Sequence, residues 1–205
     1  MALSKIDVAN MLTGTAPVAN GGTGVTTAAA LANTGNLVLL NTVTTTDATV
    51  SDIDFDSTYI TSTYNNYVAF INVVPATDAV SLRVRISSSG TFATGASDYG
   101  NAYYNDGGTD FNDNDRAEIA LNHGTIGNAS GECICGTLEL FQPTSSSFRT
   151  KVSFLAQRDT TAGSHGMAVG GGQRNATQAD DGIRFYLSSG NFASGSTITL
   201  YGVKK

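Results

Sequence analysis

The sequence predicts an all-β protein: an antiparallel β-sandwich of jelly-roll type, preceded by an extended N-terminal arm with a short helix. Three observations lead there. From Asn36 onward large apolar residues recur with a period of two, the spacing that turns one face of a strand to a core and the other to water. Clusters of Gly, Ser, Asn and Pro separate these stretches at short intervals, as in sandwiches and jelly rolls. No segment of that region shows a helical apolar period, which argues against a βαβ architecture.

Residues 1–35 read differently. Leu12 to Thr27 holds too few large apolar residues to build a core of its own. Asn20-Gly21-Gly22 and Thr23-Gly24 supply turn positions with positive φ at low steric cost. Thr26 or Thr27 then caps a short helix over Ala28 to Ala32, with Gly35 as its stop. A helix of one or two turns is marginal by itself, so the arm is expected to order by docking on a partner. The chain therefore divides into an arm, residues 1–35, and a sandwich, residues 36–205.

The strands follow in order. Leu37 to Val43, Thr49 to Phe55 and Tyr67 to Val74 come first. Leu82, Val84 and Ile86 alternate with Ser81, Arg83 and Arg85, and Ala117 to Leu121 is a shorter candidate. Ile134, Leu138 and Leu140 alternate with Cys133, Cys135, Thr137 and Glu139; Val152 and Phe154 alternate with Lys151 and Ser153. His165 to Val169 precedes Ile183, Phe185 and Leu187, and Ile198 and Leu200 close the series. Turns are expected at Ser87 to Gly90, Asn105 to Gly108, Gly127 to Gly131, Pro143 to Ser147, Gly170 to Gly172 and Ser188 to Gly190. The inward set is Phe70, Leu82, Val84, Ile86, Leu138, Leu140, Val152, Phe154, Ile183, Phe185, Ile198 and Leu200.

Composition limits function. Of 205 residues 14% are charged, against about 25% in ordinary soluble domains. Lys plus Arg number 11 and Asp plus Glu 17, a formal charge of −6. Nucleic acid and anionic membrane surfaces call for the opposite sign, so neither is an expected partner. The longest apolar runs, such as Leu37 to Leu40, fall far short of the ~20 residues a membrane helix needs. Met1 to Leu12 carries Lys5, Asp7 and Asn10 and does not read as a secretory signal.

Candidate chemistry is sparse. Cys133-x-Cys135 places two thiols on one strand face, and only His123 and His165 are at hand to complete a zinc site; reduced thiols in a subunit contact are the simpler reading. Asp52, Asp54 and Asp56 alternate along one strand, and Asp106, Asp110, Asp113 and Asp115 fall in a loop from Asn105 to Asp115. Such carboxylates suit calcium but lack EF-hand spacing, and solvated turn residues are the commoner explanation. No G-x-S-x-G, H-E-x-x-H or P-loop occurs, and Gly170-Gly171-Gly172 lacks the strand-to-helix context of a phosphate loop. A carboxylate pair for glycoside cleavage stays open, because sequence spacing does not report spatial distance. Asn128 and Asn175 match the glycosylation sequon. Tyr59, Tyr64, Tyr67, Tyr99, Tyr103 and Tyr104 concentrate in the first half of the sandwich, where exposed tyrosines can stack on sugars or proteins and half-buried ones simply pack.

Pro17-Val18-Ala19-Asn20-Gly21-Gly22-Thr23-Gly24 resembles the Leu-Pro-Val-x-x-Gly-Gly-Thr-Gly stretch of tailed-bacteriophage fibre and collar proteins, with Ala16 where Leu is common. Gly182 to Lys204, and Ile53-Asp54-Phe55 through Tyr64-x-x-Tyr67 to Leu82-Arg83-Val84-Arg85-Ile86-Ser87, resemble segments of marine-phage structural proteins. The resemblance implies a non-enzymatic virion protein: a tail fibre, collar or spike-type appendage, commonly a homotrimer. It implies that Pro17, Val18, Asn20, Gly21, Gly22, Thr23 and Gly24 anchor the chain to other virion proteins of the tail, neck or capsid. It implies no cofactor and no catalytic residue. Capsid decoration and recognition of a host surface glycan are the alternative roles, and a polysaccharide hydrolase is the remaining class.

Overall fold

The computed structural model describes residues 36–106, 108, 110–122 and 124–205. Residues 39–205 form one compact unit. The expected arm, its helix over Ala28 to Ala32 and the anchoring residues Pro17 to Gly24 lie outside the described residues.

The described residues are all-β, with thirteen strands and no helix. In chain order they are β1 (Leu37–Thr44), β2 (Asp52–Phe55), β3 (Asn66–Val73), β4 (Leu82–Ser88), β5 (Thr91–Phe92), β6 (Tyr99–Asn105) and β7 (Asp110–Arg116). There follow β8 (Ile119–Ala120), β9 (Ile134–Phe141), β10 (Lys151–Asp159), β11 (His165–Arg174), β12 (Gly182–Leu187) and β13 (Thr197–Val203). The larger sheet has eight strands in the order β1-β13-β3-β9-β10-β11-β6-β7. The smaller has the order β2-β12-β4-β5, and β8 also pairs with β4, alongside Arg83 and Val84. Its paired strands run antiparallel, as do those of the larger sheet from β13 to β7.

One core lies between inward faces. Ile53, Phe55, Val84, Ile86, Ile183 and Phe185 come from the smaller sheet; Tyr67, Leu138, Leu140, Val152, Phe154, Ile198 and Leu200 come from the larger. All of these except Ile53, Phe55 and Tyr67 belong to the inward set that the alternation predicts, and each fully buried large apolar side chain contributes about 1.5–3 kcal/mol. Phe55 packs edge-on against Phe185 and Tyr59, with centroids 6.2 and 6.0 Å apart.

Several expectations need correcting. Phe70 points outward and is 46% exposed, because β3 commits Tyr67, Ala69, Ile71 and Val73 to the core. The stretch from Asn105 to Asp115 is not a loop: β6 and β7 form a hairpin, and Asp110, Asp113 and Asp115 stand on β7. Gly170 to Gly172 is not a turn. These residues lie inside β11, paired with both β10 and β6. A Cβ on Gly170 would lie on Ala102 O and on Cβ of Tyr103, and one on Gly172 would meet Ile119 at 2.8 Å. Glycine is therefore required by neighbouring atoms that occupy the side-chain space. β6 itself escaped the sequence reading, since Asn101 and Asn105 interrupt its apolar face.

Candidate functional site

The two sheets present opposite kinds of surface. On the outer face of the smaller sheet, charges meet their partners. Arg184 Nε and Nη2 donate to the two carboxylate oxygens of Asp54 at 2.8 and 2.7 Å, with Asp52 at 3.7 Å. The Asp54 hydrogen bonds hold the Arg184 pKa above its ordinary value. Arg83, Arg85 and Arg116 converge on the carboxylate of Glu118 at 3.1, 3.5 and 3.6 Å. The Arg85 guanidinium also lies over the Tyr186 ring, 4.8 Å from its centre. The Tyr186 hydroxyl is pushed up to about 12 by burial and then by the Glu118 charge.

The outer face of the larger sheet is mostly neutral. Register places Thr199, Phe70, Thr137, Leu155, Val169 and Tyr104 in one row across six strands. Phe70, Leu155, Val169 and Tyr104 are each 41–51% exposed, and Met167 adds to the band from the next row. Between these large groups stand Thr, Asn, Ser and Gln side chains, with Glu139, Lys151 and Asp159 the charges of the interior strands. This band is the main exposed apolar feature of the described residues.

Toward the Phe141 end the face sinks into a trench. One part, about 360 Å³, crosses β10, β11, β6 and β7, where Gly100, Ala102 and Gly171 leave room beneath Asn112 and Asn114. A second part, about 560 Å³, lies between the β9–β10 loop and β11, bounded by Phe141, Gln142, Phe148, Arg149 and Thr177. Lys151 and Gln173 line both. Volumes of this size match small-ligand sites.

The trench stands on a buried polar knot. Asp180 is 1% exposed and pairs with Arg174 Nη1 at 3.3 Å, while Thr150 donates its hydroxyl to the other carboxylate oxygen. Asp180 N donates to Pro143 O at 2.7 Å, and Arg174 N to Thr150 O at 2.9 Å. Burial pushes the Asp180 carboxyl above its ordinary range, against the opposing pull of Thr150 and Arg174. The knot ties together the three segments that form the trench walls: the loop before Thr150, the end of β11 and the loop reaching Asp180. At the lip, Gln142 has φ 48°, a left-handed conformation uncommon for a residue with a side chain.

The residues singled out from the sequence are scattered. Cys133 is half-buried and Cys135 exposed, both as free thiols; burial and the neighbouring Cys135 raise the Cys133 pKa. His165 begins β11, exposed, and His123 lies outside the described residues. Asp52 and Asp54 serve Arg184, while Asp56 lies past the end of β2 and accepts from Thr58 N at 2.9 Å, which lowers its pKa. Asp113 pairs with Arg116 at 3.7 Å, and Asp106 lies 3.8 Å from Arg158. Among the described residues no three His, Cys, Asp or Glu side chains gather as a metal cradle. β2 and β7 are edge strands, and aspartates there discourage pairing with another chain. Tyr67 and Tyr99 are fully buried, Tyr103 stacks on Phe111 at 4.7 Å, and Tyr104 alone of the six joins the exposed band. Asn128 is exposed; Asn175 Nδ2 donates to Ser97 O and Asn114 O, both at 2.9 Å. Among the described residues no helix is long and apolar enough to cross a membrane. The trench residues Arg149, Lys151 and Gln173 were not anticipated; the one local signal is Phe148-Arg149-Thr150-Lys151 directly after a Ser-rich turn. No protein-family model matches the sequence, and no curated protein matches it.

Proposed function

We infer that the chain is a structural subunit of a tailed-bacteriophage virion, an appendage of tail fibre, collar or spike type that is held by its N-terminal arm and assembles as a homotrimer. The observation that carries this reading is strand order. Omitting β10, β11 and the strands between β4 and β8, the order is β1-β13-β3-β9 in one sheet and β2-β12-β4-β8 in the other. This order matches the double Greek key of a jelly roll and so supports that architecture, which is common to viral capsid and lectin domains. The Gly-Gly-Thr-Gly resemblance in the arm supports the same assignment.

The outer band of the larger sheet is the surface for a second copy of the chain. The six strands from β13 to β6, about 4.8 Å apart, and three side-chain rows about 7 Å apart make a face of roughly 600 Å² in plan, at the lower end of the area each partner buries in a stable interface. Its low charge avoids the desolvation cost that ion pairs of the smaller sheet would bring. The arm residues Pro17, Val18, Asn20, Gly21, Gly22, Thr23 and Gly24 make the contact with neighbouring virion proteins. Imaging of intact particles carrying a density label at the C-terminus tests the reading. Label at a fixed position on the tail or neck is expected, and unlabelled particles from cells that express the tagged chain contradict it. Label on the capsid shell instead assigns the decoration role.

A further inference from the structure

We propose that the trench beside Lys151 is a binding site for an anionic polysaccharide. Five of the six other described arginines sit within 3.7 Å of a carboxylate, and Arg158 has Asp106 at 3.8 Å. Arg149 and Lys151 are different: among the described residues the side chain of neither has an ion-pair or hydrogen-bond partner, and both are exposed. In a chain of formal charge −6 these two cations line one concavity. An anionic group placed between them receives charge-assisted hydrogen bonds without first breaking an internal ion pair.

The rest of the lining selects the ligand class. Gln142 and Gln173 offer amides that donate and accept, as neighbouring sugar hydroxyls require. Phe148, 62% exposed, presents an aromatic face on which the apolar side of a sugar ring can lie. An acidic peptide fits less well. Peptides are held on sheets by main-chain pairing along an edge, whereas this trench lies on the face of β10 and β11, whose backbone groups are paired on both sides. The buried Thr150, Arg174 and Asp180 knot fixes the walls, so the site is formed before ligand arrives. A left-handed Gln142 at the lip is a strained feature of the kind that collects at binding sites. This inference rests on the trench alone, and within the virion reading it supplies the contact with a host surface.

The test is calorimetric titration of the full chain with three probes: an oligogalacturonate, a chondroitin sulfate oligosaccharide and neutral maltohexaose. Binding of one or both charged probes, weakened by added salt, is expected, with none detectable for maltohexaose. Both charged probes carry carboxylates, so binding of the chondroitin sulfate alone assigns sulfate recognition and binding of both assigns carboxylate recognition. The pair R149M and K151M is expected to weaken binding at least tenfold, and F148A several-fold, with unchanged thermal melting. Equal binding of maltohexaose, equal binding by the variants, tighter binding of an acidic peptide or a DNA oligonucleotide, or no binding of any saccharide overturns the proposal. Particle labelling read on the same variants separates the outcomes: label retained without saccharide binding defeats this site only, and saccharide binding without label defeats only the virion assignment.

Discussion

Asp180 and Tyr99 show how single polar groups hold this sandwich together. Asp180 joins Arg174 and Thr150 in a space nearly closed to water. Asp180→Ala leaves the Arg174 guanidinium, itself only 12% exposed, without its carboxylate. Breaking such a pair from one side costs about 3–5 kcal/mol, read as a lower denaturation midpoint at unchanged slope. Tyr99 accepts from Ile86 N at 2.8 Å and can donate to Ile86 O or Ala93 O at 3.2 and 3.3 Å, pinning β4 to β6. Burial pushes its hydroxyl up to about 12, whereas an unfolded tyrosine ionises near 10. The native state therefore keeps a proton that the unfolded chain loses, and the associated stability is complete below pH about 10 and disappears as pH rises toward 12. Denaturation across that interval is expected to show a loss of about 2–3 kcal/mol from this residue. Tyr99→Phe should lower stability at neutral pH by about 1–3 kcal/mol, through the unsatisfied Ile86 N–H, and flatten the alkaline decline. Tyr186, also raised to about 12, keeps part of the slope in that variant.

Strands β9, β10 and β11 illustrate what alternation reveals and what it hides. Leu138 and Leu140 oppose Phe154 and Val152, and their faces were legible because large apolar residues recur at every second position. Phe70 misled because hydrophobicity alone does not choose a face: Tyr67 and Ala69, less apolar by type, set the register of β3, and Phe70 follows to the outside beside Tyr201 at 5.6 Å. The β11 glycines read as punctuation because the residues filling their side-chain space, Tyr103 and Ile119, lie far away in sequence. Replacing Gly170 with Ala forces that methyl into Tyr103 and the Ala102 carbonyl, and overpacking of this kind costs about 1–3 kcal/mol. Val169→Ala, one residue away on the exposed face, should change the melting midpoint of the dissociated chain little. A Gly170→Ala protein as stable as wild type would show that β6 and β11 are not packed in this register. The trench was illegible for a similar reason: Lys151 and Gln173 meet only through the β10–β11 pairing.

At the scale of the whole molecule, the proposed assembly rests on the contrast between two outer faces. One is covered with ion pairs centred on Asp54 and Glu118. The other carries a neutral band of Phe70, Leu155, Val169 and Tyr104, with two unpaired cations at its rim. The low charge fraction is legible in the sequence, and only the register shows which face carries the exposed band. Sedimentation equilibrium at micromolar concentration tests the assembly claim most directly, on wild type and on Leu155→Arg. Leu155 is 41% exposed, so the arginine has room to extend into solvent in an isolated chain, and it places a charge in the middle of the proposed interface. A trimer closed through this band gives three chain masses for wild type and one for the variant, with matching thermal melting when the variant is compared with dissociated wild type. A monomeric wild type, or a variant that remains trimeric, would contradict it.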